Sequence, residues 1–122
     1  LGMQLMFTSS EEGGNSDGLN LISGNVKRFK KPKKIPHIGF NQVEFHNTGS
    51  LFSGVDNKSD FYFVHSFYVN NFDIEYTYYC TYEEKFLAAF NQKNLFGTQF
   101  HPELSKDRGL KLLENFIHAD VA

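Results

Sequence analysis

The stretch Phe96-Gly97-Thr98-Gln99-Phe100-His101-Pro102-Glu103 restricts the fold more than any other in this sequence. Its apolar first half reads as a buried strand, which ends at Pro102. Proline fixes its own φ and pushes the residue before it out of the helical region, so His101 is expected to be extended. In extended chain, residues i and i+2 face one side with Cα atoms roughly 6–7 Å apart, so His101 and Glu103 come within hydrogen-bonding reach. A carboxylate on one ring nitrogen selects the tautomer whose other nitrogen can take a proton from a nucleophile. His-Pro-Glu alone is weak evidence, since a strand entering an ordinary turn with both side chains solvated explains it too.

The 122 residues suit one domain, residues 1–122, able to bury about two-thirds of its unfolded surface. With 14 Phe and 6 Tyr, the chain has material for a core. A formal charge of −2 gives no bulk attraction for nucleic acid or anionic membrane. No apolar run approaches the ~20 residues of a membrane helix. The single cysteine, Cys80, excludes an internal disulfide framework and fits a reducing, cytoplasmic compartment. Nothing beside it in sequence lowers its pKa, so it is expected to be inert. The five histidines lack ligand spacing and no cysteine pair exists, so no metal site is expected. The chain opens at Leu1 without an initiator methionine or a basic leader segment, and reads as the continuation of something longer.

In order, Leu1 to Phe7 reads as the first turns of a buried helix, because Leu, Met and Gln favour helix and no β-branched residue interrupts them. Glu11 to Gly18 is polar and glycine-rich and reads as loop. Val26 to Lys34 carries six positive charges in nine residues with only Phe29 interleaved, a pattern of a solvated loop or hairpin tip, or of a dock for an acidic or phosphorylated partner. Ile35 to Asn41 mixes apolar, amide and glycine residues and suggests a strand end or loop. Ser50-Leu51-Phe52 resembles a short helical turn. Phe61 to Val69 is the strongest strand, a near-continuous apolar run that implies burial on both faces. Ile74 to Tyr82 suggests a more exposed strand, Phe86 to Phe90 another, and Asn91 to Asn94 a turn. After Glu103, Ser105 can cap a helix with Leu110, Leu113, Phe116 and Ile117 on one face.

Five segments then stand in a telling order: Leu-Gly-Met-Gln-Leu-Met-Phe, Ser-Glu-Glu-Gly, Ile-Pro-His-Ile-Gly-Phe-Asn, Phe-Tyr-Phe-Val-His-Ser-Phe-Tyr-Val and Gly-Thr-Gln-Phe-His-Pro-Glu. Together they resemble the class I glutamine amidotransferases, most closely the glutaminase subunits of imidazole glycerol phosphate synthases, from Leu1 to about Ile117. The resemblance implies an α/β, flavodoxin-like fold with a mixed sheet flanked by helices, here lacking its N-terminal strands. It implies a Cys-His-Glu triad that hydrolyses glutamine to glutamate and ammonia without a cofactor. The ammonia passes to a (β/α)8 barrel cyclase subunit that makes imidazole glycerol phosphate and AICAR in histidine biosynthesis. His101 and Glu103 fall on the family's catalytic histidine and glutamate. Leu1, Gln4, Ser66 and Phe67 fall on its glutamine-binding segments, and an aromatic hydroxyl is commoner at Phe67.

The family's nucleophile belongs to Gly-x-Cys-x-Gly, and Leu1-Gly2 matches only the final x-Gly. The resemblance therefore implies that the chain supplies the acid–base half of the site without its sulfur, is inactive alone, and leaves a sheet edge and an apolar helix face uncovered. The implied partner face holds His37, Phe40, Asn41 and Leu104. Phe40 stands where the family usually has Trp, and Leu104 where a Lys usually pairs with an acidic group on the cyclase. Those two departures keep open a sibling amidotransferase feeding a sugar-amidinating enzyme, and a catalytically silent docking subunit.

Overall fold

The computed structural model describes residues 3–11, 16–30, 34–70, 72 and 74–118. Leu1 and Gly2, with 31–33 of the basic run, lie outside them. The expected opening helix is a single 3₁₀ turn, Gln4–Met6, after which Phe7 is extended (φ −91°, ψ 175°). β1 (Phe7–Ser10) begins there. Thr8, Ser9 and Ser10 do not favour helix, and the strand gains partners on both sides. Those partners are β2 (Ser16–Asp17), antiparallel, and β3 (Ile22–Arg28), parallel. β3 also pairs with β6 (Phe67–Asn70), giving a mixed sheet ordered β2-β1-β3-β6.

β4 (His37–Val43) and β5 (Ser59–His65) form a two-stranded antiparallel sheet. β7 (Tyr76–Tyr82), β8 (Glu84–Gln92) and β9 (Leu95–Thr98) form a third, antiparallel sheet. A bridge between Glu44 and Tyr79 links the last two sheets. Pro102–Leu104 is a second 3₁₀ turn, and α1 (Lys106–Ile117) closes the described fold.

Several expectations change. Ile35 to Asn41 contains most of a full strand rather than a strand end, because β4 can pair along its whole length with β5. The apolar run Phe61 to Val69 is broken at Ser66, where the chain passes from one sheet to another. β5 alternates buried and exposed residues, so it is covered on one face only. The strand buried on both faces is β8: Phe86, Ala88 and Ala89 pack into an aromatic core with β5 and β7, while Leu87 and Phe90 pack against the sheet of β1, β3 and β6. Asn91 and Gln92 belong to β8, leaving only Lys93 and Asn94 for the turn. Within the basic run, residues 26–28 lie in β3 and Phe29 is buried among Tyr68, Phe86 and His65, so this part is no solvated tip.

Ser105 stands at the N-cap of α1 but makes no side-chain cap bond. The helix buries Gly109 and Leu112, while Leu110 and Ile117 face water, so the expected apolar stripe is largely uncovered. Gly109 permits the close approach of α1 to the turn before it, since a Cβ there would lie 1.9 Å from the Pro102 carbonyl oxygen. Gly97 does the same at β9, where a Cβ would meet Phe90 at 2.7 Å and Met3 at 2.8 Å. The first turn of the chain thus rests directly on the strand that leads to His101.

Candidate active site

β9 pairs with β8, and the Gln99 N–H continues that ladder to the Ala88 carbonyl at 2.7 Å. Phe100 is then buried against Phe61 and Phe63. These anchors deliver His101 at the surface in an extended conformation (φ −100°, ψ 99°), as proline at the next position requires. Glu103 reaches it through the 3₁₀ turn rather than through continued extension. His101 Nδ1 and Glu103 Oε1 lie 2.8 Å apart, with the side chains 46% and 60% exposed. A carboxylate accepts, so Nδ1 carries the hydrogen and Nε2 presents its lone pair.

The backbone of this turn is held by β5. The His101 N–H donates to the Tyr62 carbonyl at 2.8 Å, the Tyr62 N–H donates to Ser105 Oγ at 3.0 Å, and Ser105 Oγ–H donates to the His101 carbonyl at 2.6 Å. Ser105 is fully buried and joins the strand to the turn instead of capping the helix.

Gln4 links the other expected residues to this strand. Its Nε2 donates to Gln99 Oε1 at 2.8 Å and to the Phe67 carbonyl at 3.2 Å, committing both amide hydrogens to protein acceptors. Gln4, Phe67 and the approach to His101 are therefore stitched together, with Ser66 at the corner between β5 and β6 and its carbonyl accepting the Phe29 N–H. Leu1 lies outside the described residues. Of the expected partner face, Phe40 and Leu104 are exposed and Asn41 is half-buried. Phe40 packs edge-on against Tyr62, with Lys106 Nζ 5.3 Å from its ring centroid. His37 departs from the expectation: at 3% exposure it lies beneath that face, not on it.

His37 meets His65, which begins the segment His65-Ser66-Phe67 that the resemblance places at the glutamine pocket and whose own role the sequence left unassigned. His37 Nδ1 and His65 Nε2 are 3.0 Å apart in the interior, and His65 Nδ1 lies 2.8 Å from the Phe67 carbonyl. Burial pushes both rings down to about 4, and for His65 it outweighs the hydrogen bond to the Phe67 carbonyl, which acts in the opposite direction. Gln99 was also missed, although a glutamine in an apolar strand is a legible sign of a buried polar contact. Cys80 is buried, and desolvation raises its thiol to about 12, so it is no nucleophile. Among the described residues no acidic, histidine or cysteine cluster could hold a metal, and no helix is long and apolar enough to cross a membrane.

The family model for class-I glutamine amidotransferase matches residues 1–119. This chain belongs to the class-I glutamine amidotransferases. The imidazole glycerol phosphate synthase subunit HisH 1 of Campylobacter jejuni (strain RM1221) is 50% identical over 119 residues, covering 96% of this chain and 59% of the relative. The HisH subunit of Moorella thermoacetica is 49% identical, covering 95% and 56%, and that of Methanocaldococcus jannaschii 45% identical, covering 96% and 60%. The amidotransferase chain thus spans a little under three-fifths of the length of these relatives. Its mixed sheet and C-terminal helix agree with a partial flavodoxin-like α/β fold.

Proposed function

We propose that the chain forms the acid–base half of a glutaminase, within a single amidotransferase domain that releases ammonia from glutamine in the cytoplasm. In this reading His101 Nε2 takes the proton of an attacking cysteine thiol and returns it to the departing ammonia, while Glu103 holds the ring in the required tautomer. The thiolate adds to the side-chain amide carbonyl, the C–N bond breaks, and a glutamyl thioester remains. Water, deprotonated by the same imidazole, then breaks the C–S bond to give glutamate and regenerate the thiol. We assign that thiol to the part that the relatives carry beyond the matched region, since Cys80 is buried and protonated. Gln4 and the Ser66-Phe67 corner serve as the glutamine pocket, and Leu1 belongs to it by family position. No cofactor enters this chemistry.

The observation that carries the reading is the 2.8 Å contact of His101 with Glu103, two residues beyond the Gln99 that Gln4 grips. Ammonia then passes to a (β/α)8 cyclase in a heterodimer, docked on the apolar face around Phe40 and Leu104. The relatives are named as subunits of imidazole glycerol phosphate synthase, which supports a partner subunit, and so does a surface where large apolar side chains stand in water. Leu104, which can form no ion pair, favours as a second reading an amidotransferase serving a sugar-amidinating enzyme. Ammonia release from glutamine by the full gene product, with and without the barrel cyclase, tests the proposal. Turnover stimulated by the cyclase and abolished by His101→Ala supports it. Turnover unaffected by His101→Ala refutes the catalytic assignment, and indifference to the cyclase favours the second acceptor. The 122-residue chain alone is expected to release none.

A further inference from the structure

A hydrogen-bonded line runs through the interior from Asn41 to Phe67, and its polarity is fixed from both ends. At one end the Phe67 carbonyl can only accept, so His65 Nδ1 carries a hydrogen and its Nε2 is a bare acceptor. His37 must then donate from Nδ1 at 3.0 Å, which leaves His37 Nε2 an acceptor as well. At the other end, Asn41 Nδ2 lies 3.3 Å from both the Thr81 carbonyl and His37 Nε2, while Asn41 Oδ1 accepts the Gln42 N–H at 2.8 Å. The amide therefore presents hydrogens to His37, as the first deduction demands. Three donors point one way, with no ring nitrogen of the pair left over. His37 stacks on Phe63 and Tyr82, while His65 meets Phe29 edge-on and Phe86 at a tilt, and these contacts hold both rings in place.

The Phe67 carbonyl on which this line ends also receives Gln4 Nε2–H. A carbonyl has two lone pairs, and here His65 and Gln4 each take one. Without the His65 hydrogen, the Phe67 peptide can rotate and Gln4 loses its register against Gln99. We propose that His37 and His65 are positioning residues, which hold the Phe67 carbonyl so that Gln4 is presented correctly to the substrate. This rests on the glutaminase reading of the Gln4 pocket. Neither imidazole moves a proton during the reaction, since each ring nitrogen lies between fixed partners.

The test uses the ¹⁵N-labelled full gene product at pH 7. Ring-nitrogen spectra are expected to show both histidines neutral with the hydrogen on Nδ1. A hydrogen on Nε2 of either ring overturns the proposal, and this measurement needs no variant to fold. Glutamine kinetics then test the link to the pocket. His65→Phe, which keeps the packing but loses the donor, is expected to raise KM about 10-fold with kcat within about 3-fold. His65→Asn, whose Nδ2–H can replace Nδ1–H, is expected to stay within about 3-fold of the unaltered KM. A folded His65→Phe protein with unchanged KM, or an Asn variant as impaired as the Phe variant, contradicts the positioning role. An unaltered protein that never hydrolyses glutamine fails the glutaminase reading instead, while the ring spectra still decide the histidine line.

Discussion

His101 and His65 both donate from Nδ1 to an oxygen at 2.8 Å, yet the two rings are fitted for opposite tasks. His101 leans on a carboxylate in water, and its Nε2 has no hydrogen-bond partner among the described residues. His65 is 6% exposed, leans on a neutral carbonyl, and gives Nε2 to another imidazole. The tautomer is the same, so tautomer alone does not make a base. What differs is the partner of Nε2 and the surroundings: His101 stands half in water beside Glu103, whereas aromatic rings enclose His65 and make charging it costly.

The largest expected effect breaks this contrast at its exposed end. His101→Ala in the full gene product should lower glutamine turnover by about 10³-fold or more while moving unfolding free energy by less than about 0.5 kcal/mol, because the side chain is half in water. Urea unfolding beside the ammonia assay checks both halves.

Acid sharpens the contrast at its buried end. In the unfolded chain His37 and His65 protonate near 6.5, and in the fold only near 4. Between those values the unfolded state binds more protons, so stability is full above about 6.5 and falls as pH drops toward 4. The loss is on the order of 3 kcal/mol for either ring taken alone, and less than twice that for the coupled pair. Urea midpoints across this range measure it, and His37→Phe should flatten the slope.

Ser105→Ala removes the hydroxyl that ties Tyr62 to the His101 carbonyl, for an expected loss of about 1–2 kcal/mol with a smaller drop in turnover. Glu103→Gln, like His101→Ala, should change stability by no more than about 0.5 kcal/mol, since an exposed pair contributes little. Its turnover should fall nonetheless, because a neutral amide supports the imidazolium less well than a carboxylate. A large stability loss with full activity would reverse the roles assigned to the two regions.

Much of the exposed region was legible in the sequence. Proline announces the extended histidine within two residues, while the carboxylate two positions on reaches it through a 3₁₀ turn that the extended reading did not foresee. The buried region was not legible in the same way. His37 and His65 stand 28 positions apart and meet only because β4 and β5 pair in a register that sets them opposite each other. Nothing local in Ile35 to Asn41 foretold a full strand, since pairing with β5 overrides its mixed composition. The run Phe61 to Val69 misled through its continuity, for Ser66 divides it between two sheets. Two-sided burial went instead to β8, where small Ala88 and Ala89 sit between larger residues that serve both cores. The short opening helix failed for a similar reason, as β1 found ladder partners on both sides.

The most direct test is mass spectrometry of the full gene product, quenched during glutamine turnover and digested to peptides. The account predicts a glutamyl adduct on a cysteine other than Cys80, with its rate of formation reduced by His101→Ala. An adduct on Cys80, or rapid turnover through no glutamyl-cysteine at all, would contradict it.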